Sequence, residues 1–503
     1  MAHTISRTLV ALALLAAVHG QSDLKSALEQ SGVRAVYPGS GEFSSASASF
    51  NKRYNYQPAV ITYPTSVEQV SAIVKAGGEN NYNVIARSGG HSYIAAGLGG
   101  KDGEVVVDMS GMASITYEDS THLATIGVGA RLGSVASKLN QHGRAIPHGN
   151  CAYVGVGGHQ GKYSMSSHSA GGFGITSRMW GLLMDSIEEH TVVIANGTIV
   201  TASSSENSDL YWALLGAGAS FGITTSIAVK TYPVPSYSKS WNYDWMMDAS
   251  TAAQAFVDYQ SWILDGIPQE LGVEGWFSRG DSLGQIHVQF HGMWNGPQGD
   301  ALDNALRPLL SKLPAPRSNN IEGDGTFIDA LRLRSGGSLD TSQPDSSNTF
   351  YAKSLMTPES EVISPTASLN WMNYLANEGF ATSTGWFFQA EAYGGPNSQI
   401  NARPVDSTAF ASRSTLLTIQ LYSYSANGQP SYPEEGYAFV DGAAAAIVDS
   451  MPSDWAYGTY LNYPDDRLDN WQQLYYGQHY ERLSELKDVY DPSRVFVFPL
   501  GVE

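Results

Sequence analysis

The chain of 503 residues carries 28 lysines and arginines against 47 aspartates and glutamates, a formal net charge of −19 at neutral pH. Such a surface repels nucleic acid and anionic lipid and suits a neutral partner. Charged residues make up only 15% of the chain and aromatic residues 11%, which excludes a disordered polyelectrolyte and leaves many flat rings for binding faces.

The N-terminus reads as a leader: a short polar stretch with Arg7, the apolar run 9–18, then Val18-His19-Gly20, small residues where a signal peptidase cuts. Residues 1–20 are therefore expected to be a cleaved signal peptide and the remainder to be secreted. Neither this run nor any other uninterrupted apolar stretch approaches the roughly 20 residues a membrane-crossing helix needs. What remains exceeds one ordinary core, so two domains are expected.

Thr65-Ser66-Val67-Glu68 has capping-box spacing, and Val67, Val70, Ile73 and Val74 recur at helical intervals, predicting a helix to about Lys75. After a polar turn at Asn80, the strand-like Val84-Ile85-Ala86 feeds into Arg87-Ser88-Gly89-Gly90-His91-Ser92-Tyr93. Further strands are expected over 105–108, 122–128, 191–195 and 198–201, the last two joined by the hairpin turn Asn196-Gly197. Asn196-Gly197-Thr198 is also a glycosylation sequon on that turn. From Pro233 the glycine-rich pattern gives way to amphipathic stretches such as 252–264, alternating with strands such as 285–290, 385–393 and 416–422. Residues 324–348, rich in Gly, Ser and Asp, are expected to contain a mobile surface loop. A helix over 468–489, closed by Asp491-Pro492, and a short strand over 495–498 complete the chain. The expected fold class is α+β. Residues 21–233 form a first domain with its core over about 54–233, residues 234–467 a second, and residues 468–503 return to the first. No period of 20 to 50 residues recurs, which argues against a solenoid or propeller.

Glycine clusters at Ser88-Gly89-Gly90, at 127–133, at Gly155-Val156-Gly157-Gly158 and at Gly171-Gly172-Phe173-Gly174 supply backbone N–H groups without side chains. A pyrophosphate approached from several loops requires this. A structural turn explains any one cluster; four so close together point to a dinucleotide. The Rossmann arrangement does not fit, because Gly216-Ala217-Gly218 follows the helix-like 209–215 and precedes a strand, the reverse of the required order. No Gly is followed by Lys-Ser or Lys-Thr as a P-loop needs, and no Gly-x-Ser-x-Gly elbow stands between a strand and a helix. Among the 12 His there is no His-Glu-x-x-His pair, and one Cys rules out a cysteine-rich zinc site. No metal is expected, and His159 and His168 are read as hydrogen-bonding residues. Cys151 is the single cysteine, so it forms no internal disulfide and is either an inert buried thiol or a reactive group.

Three motifs now stand in order: Arg87 to Tyr93, then Pro147-His148-Gly149-Asn150-Cys151-Ala152-Tyr153-Val154-Gly155-Val156-Gly157-Gly158-His159, then Tyr460-Leu461-Asn462-Tyr463. Together they closely resemble the berberine-bridge-enzyme-like branch of the vanillyl-alcohol-oxidase flavoproteins, and within it the fungal oligosaccharide oxidases. The resemblance covers nearly all of the chain after the leader. It implies a PCMH-type FAD-binding domain followed by an α+β substrate domain, an antiparallel sheet covered by helices. It implies FAD bonded through its 8α-methyl to His91 and through C6 to Cys151. Ser88, Gly89, Gly90, Ser92, Val154, Gly157, Gly158, His159, Gly222 and Ile223 would surround the cofactor. Val154 stands where the family sets oxygen access, which favours an oxidase. Two tethers fix the ring so that the site can stay an open groove.

Chemistry at such a flavin needs a base for the substrate hydroxyl proton while hydride leaves the same carbon. A free tyrosine, with a pKa near ~10, needs help to act near neutrality. By resemblance Tyr463 is that base, Glu391 assists it, Gln389 and Gln420 contact substrate, and Phe387 and Tyr460 line the groove. Strand alternation puts Gln389 and Glu391 on one face. The implied activity is oxidation of the reducing-end C1 hydroxyl of an oligosaccharide to a lactone, with O2 reduced to H2O2. The implied partners are a carbohydrate and O2, with no nucleic acid, membrane or protein. Three departures from the family pattern stand out: Glu391 where oligosaccharide oxidases carry Asp, His479 where relatives place an Asn near the flavin, and a Ser-rich insert from Gln160 to Ala170. Two alternatives stay open. One is FAD-linked oxidation of a small secondary metabolite or alkaloid; the other is a catalytically silent sugar-binding relative whose flavin site the insert has spoiled.

Overall fold

A computed structural model describes residues 23–160 and 171–503; the expected leader, His168 and all but the first residue of the insert lie outside them. β-Branched runs build the first sheet. Val60–Tyr63, Val105–Asp108 and Val84–Arg87 pair in parallel, and Arg34–Val36 joins Val60–Tyr63 antiparallel at the edge. The helix Val67–Glu79 lays Val70, Ile73 and Val74 on Val60, Val84, Val105 and Val107, all fully buried. Ser66 caps it by accepting from the Gln69 amide, one residue later than the capping-box spacing suggests, and the helix runs a turn beyond Lys75. The same helix packs on Val193 and Ile223 of a second, antiparallel sheet. That sheet runs Ile115–Glu118, Leu123–Gly127, Ile223–Lys230, Ile187–Val193, Ile199–Ser203. Between its last two strands Gly197 takes φ +78°, the left-handed conformation the Asn196-Gly197 turn needs.

The C-terminal segment packs against this domain. The Val84 amide donates to Val495 O at 2.9 Å, and the fully buried pair Lys487–Asp491 closes at 2.6 Å while Asp491 accepts from the Val495 and Phe496 amides. Two details differ from expectation. The helix over 468–489 is two helices, Trp471–Tyr476 and Tyr480–Tyr490, because Gly477 between them has φ +53°, which a right-handed helix cannot contain. Residues 495–498 join no strand ladder; a single backbone hydrogen bond holds Val495 to Val84.

The second domain is built on seven antiparallel strands in the order Ser318–Glu322, Lys239–Asp248, Gln285–Trp294, Leu271–Arg279, Gly385–Ala392, Thr415–Tyr424, Phe350–Pro358. Alternation sorts the side chains. Val273, Phe277, Val288, Phe388, Ile419 and Leu421 pack under the helices Ala249–Leu264, Pro365–Ala381 and Glu434–Val448, with Phe256 and Trp371 filling the layer between. Asp248 and Ser364 cap the first two helices through the Thr251 and Ala367 amides. The residues alternating with these point the other way, toward the first domain. Residues 324–348, expected to contain a mobile surface loop, also contain the helix Phe327–Arg334, whose Phe327 and Leu331 are buried. Among the described residues no helix is long and apolar enough to cross a membrane.

Candidate active site

Sheet register sets the floor of the site. Glu274, Glu391 and Thr418 are cross-strand neighbours in one row, and Trp276, Gln389, Gln420 and Ser354 in the next. Directly opposed side chains on such a face lie ~5 Å apart, close enough to interact. Onto this floor Tyr463 brings its hydroxyl, which donates to Glu391 Oε2 at 3.2 Å. Both side chains are buried, at 0% and 1% exposure. Burial pushes the Tyr463 phenol well above its ordinary range, and the charge of Glu391 pushes it further. Burial likewise holds the Glu391 carboxyl well above the usual carboxylate range, Glu274 adds to this, and the Tyr463 hydrogen bond opposes it. Glu274 in turn accepts from Asn150 Nδ2 at 3.1 Å and from Arg334 Nη2 at 3.0 Å. Of the two neighbouring buried carboxylates, Glu391 meets the Tyr463 hydroxyl and Glu274 meets the Arg334 guanidinium.

Aromatic rings fix Tyr463 in place. Tyr93 stacks on it with centroids 6.0 Å apart and planes 9° apart, and Tyr460 meets it edge-on at 5.1 Å. The Tyr93 hydroxyl accepts from Gln420 Nε2 at 2.6 Å. Burial raises the Tyr93 phenol, the Gln420 bond opposes, and the charges of Cys151 and Glu391 add to the rise. Beside the amide row, the half-buried Phe387 stacks between Trp276 at 4.3 Å and Tyr422 at 4.7 Å, a flat apolar strip.

The glycine loops meet on the first domain. Ser88, Gly89, Gly90 and His91 follow the strand Val84–Arg87 directly. A Cβ on Gly89 would stand 2.3 Å from Gly155 N, and one on Gly155 would stand 2.1 Å from Gly89 N, so the two loops touch backbone to backbone. Ser88 Oγ donates to Val128 O and accepts from the Gly157 amide at 3.3 Å. A cavity of about 540 Å³ is lined by Ser88, Val128, Gly157, Gly158, Gly222 and Ile223. A second, of about 880 Å³, is lined by Ser88, Gly89, Gly90, His91, Arg131 and Asp345. They share Ser88. Walls in which a Cβ has no room, ending at a buried imidazole, fit a dinucleotide such as FAD.

The remaining sequence-marked residues fall into two groups. Cys151 is half-buried and Val154 is 1% exposed, both packed on the cluster that contains Tyr460 and Tyr463. Ser92 and His159 support the loops: Ser92 Oγ accepts from the Ala96 amide at 2.6 Å, and the Gly149 amide donates to His159 Nε2 at 3.3 Å. His479 turns to the 405–410 segment, with Nε2 3.1 Å from Asp406 and the ring edge-on to Trp212 at 5.2 Å. Sequence reasoning passed over Tyr93, Asn150, Glu274, Arg334 and Asp345 as site residues. Glu274 had a signal, a lone carboxylate between Val273 and Phe277 in an otherwise apolar alternating run.

Comparison with known proteins agrees with this arrangement. A model of the FAD binding domain matches residues 58–203, and one described as berberine and berberine like matches residues 459–503. A xylooligosaccharide oxidase of Thermothelomyces thermophilus is 36% identical over 100% of this chain and 99% of its own. The xylooligosaccharide oxidase from Myceliophthora thermophila C1 in complex with xylobiose superimposes with a TM-score of 0.86 at 34% identity, covering 96% of this chain and 99% of that one. The glucooligosaccharide oxidase from Acremonium strictum, whose FAD is 6-S-cysteinyl and 8α-N1-histidyl, superimposes with a TM-score of 0.86 at 30% identity over the same shares. Identity of this degree along the whole chain, with the glycine loops and Tyr463 both inside matched segments, means that the protein belongs to the berberine-bridge-enzyme-like FAD-linked oxidoreductases.

Proposed function

We propose that the protein is a secreted oxidase in which FAD is tethered to His91 and Cys151. It oxidises the reducing-end C1 hydroxyl of an oligosaccharide to a lactone, with O2 reduced to H2O2. One observation carries the reading: the Tyr463 hydroxyl, bonded to Glu391, stands on the same sheet face as the Gln389–Gln420 amide pair and the Phe387 strip. The relatives that act on xylo- and glucooligosaccharides support the substrate class.

Bound FAD supplies the two-electron acceptor that takes hydride and passes electrons to O2. Tyr463 Oη receives the C1 hydroxyl proton as its own proton moves toward Glu391 Oε2. The relay requires ionised Glu391, and Glu274, neutralised by Arg334, sets how readily that carboxyl ionises. Gln420 spends its amide N–H on Tyr93 and keeps Oε1 for a sugar hydroxyl. Phe387 offers the ring face on which a pyranose stacks. The glutamate in place of aspartate still reaches the phenol, at 3.2 Å.

Acid precipitation of the secreted protein, followed by a peroxide assay over cello-, xylo-, malto- and chito-oligosaccharides, tests the reading. The yellow colour is expected to stay with the protein, and at least one sugar series to yield peroxide. Tyr463→Phe is expected to slow flavin reduction ~10²–10⁴-fold while sugar binding changes little. Flavin wholly released by acid removes the tethers, and an equal rate in the variant removes Tyr463 from the chemistry. Asn196 is exposed on its turn, and an N-glycan there would show as an endoglycosidase-sensitive mass.

A further inference from the structure

The segment 335–348 crosses the cavity that ends at His91 as a strap pinned at both ends. Ser335 Oγ donates to Asn150 O at 2.5 Å, and Leu339 O lies against Gly133, where a Cβ would come within 2.2 Å. At the other end the Asn348 amide donates to Phe50 O at 3.1 Å and Asn348 O accepts from the Lys52 amide at 2.8 Å. Between the pins, Pro344, Asp345 and Ser347 line the same cavity as Gly89 and Gly90. There Asp345 Oδ2 lies 2.9 Å from His91 Nε2, with the imidazole 3% exposed. Phe50 packs on the imidazole at 4.4 Å and Tyr153 faces it at 6.5 Å, planes 31° and 28° away. Two rings and one carboxylate therefore fix the orientation of a buried histidine.

A carboxylate facing Nε2 accepts the N–H there and leaves the lone pair of the neutral imidazole on Nδ1. We propose that Asp345 is the positioning residue for flavin attachment at His91: it holds the tautomer in which Nδ1 is the nucleophile and faces the positive charge that grows on the ring as the bond forms. The inference rests on the His91 tether of the proposed function. In the step, one C–H bond of the flavin 8α-methyl breaks and a C–N bond to Nδ1 forms. One proton leaves from the methyl carbon and one from Nε2 by way of Asp345. The electron pair released stays on the flavin until O2 takes both electrons and both protons as H2O2.

The test follows the two tethers separately. Full-length Asp345→Ala, Asp345→Asn, Asp345→Glu and, as a control on the exposed neighbour outside the cavity lining, Ser346→Ala are incubated with FAD and digested, and the His91 and Cys151 peptides are weighed. Attachment at His91 is expected to slow about 10–100-fold in Asp345→Ala, the range for removing a group that orients a histidine, and less in Asp345→Asn, which keeps an acceptor but no charge. Asp345→Glu should restore most of the rate, Ser346→Ala should match the parent, and the Cys151 peptide should carry flavin throughout, which reports a folded site. His91 labelled at the parent rate in both Asp345→Ala and Asp345→Asn overturns the inference while leaving the proposed function intact. An unlabelled His91 in the parent protein overturns the tether itself.

Discussion

Replacing His190 with leucine is expected to stabilise the protein more in acid than at neutral pH. His190 lies in the strand Ile187–Val193, opposite Ala202 and Ile227, is 1% exposed, and meets Tyr211 edge-on at 6.0 Å. Among the described residues neither ring nitrogen finds a hydrogen-bond partner. Burial pushes the imidazole down to about 3, whereas an unfolded histidine titrates near ~6.5. Below that upper value the unfolded chain takes up a proton that the folded chain refuses, so stability is lost from about pH 6.5 downward and the loss ends near the folded pKa. At about pH 4.5, two units down at ~1.36 kcal/mol each, the loss is about 2.7 kcal/mol. Leucine has nothing to protonate and fills a similar volume. Urea unfolding of both proteins near neutrality and at about pH 4.5 reads the difference, and the leucine variant's advantage should grow by roughly 2–3 kcal/mol on acidification. An advantage that stays constant with pH would refute the reasoning, because folded His190 would then have to reach water or an acceptor.

Glu274→Gln removes one of the two causes that raise Glu391 and leaves the Arg334 cation uncompensated, so Glu391 ionises at lower pH. Stopped-flow profiles should show the acid limb of flavin reduction moved to lower pH, and an unmoved limb tells against the coupling. Phe387→Ala breaks the stack between Trp276 and Tyr422 and should raise KM for oligosaccharides about 5-fold, near 1 kcal/mol, with kcat little changed. Gly89→Ala drives a methyl into the Gly155 backbone and should cut flavin content, measured as the ratio of flavin to protein absorbance. Gly41→Ala, with open space around its Cβ, is the control that should load normally.

Where the sequence was legible, the signal was local. The helix Val67–Glu79 followed from a cap and four valine or isoleucine positions, and the glycine loops from their density. Alternation put Gln389 and Glu391 on one face, and register then set Gln420 and Glu274 beside them. Where it was not, the information was long-range. Arg334 and Asp345 come from a segment whose Gly, Ser and Asp content reads as a surface loop. Its order comes from contacts with Asn150, Gly133 and Phe50, more than 150 residues away, and no local pattern encodes them. The extent of the C-terminal helix was misread because Gly477 sits inside an otherwise helical run, and only its positive φ marks the break.

The two faces of the large sheet carry opposite physics, and the difference itself points to function. The helix side is built mainly of apolar side chains, with Gln260, Ser368 and the Trp371 indole as buried polar groups among them. The other side buries Thr418, Gln420 and Glu391 at 0–1% exposure, and among the described residues Thr418 Oγ1, Gln420 Oε1 and Glu391 Oε1 lack a hydrogen-bond partner. An unsatisfied buried polar atom costs ~1–3 kcal/mol, so a face selected only for packing would have been apolar here as well. The three atoms lie on adjacent strands in two neighbouring rows, Glu391 beside Thr418 and Gln389 beside Gln420. Under the proposed function the hydroxyls of the substrate would offer partners on this face, recovering in the complex what the free protein gives up. Stability is therefore lower in the free protein than an apolar face would allow, and the deficit is located where binding can offset it.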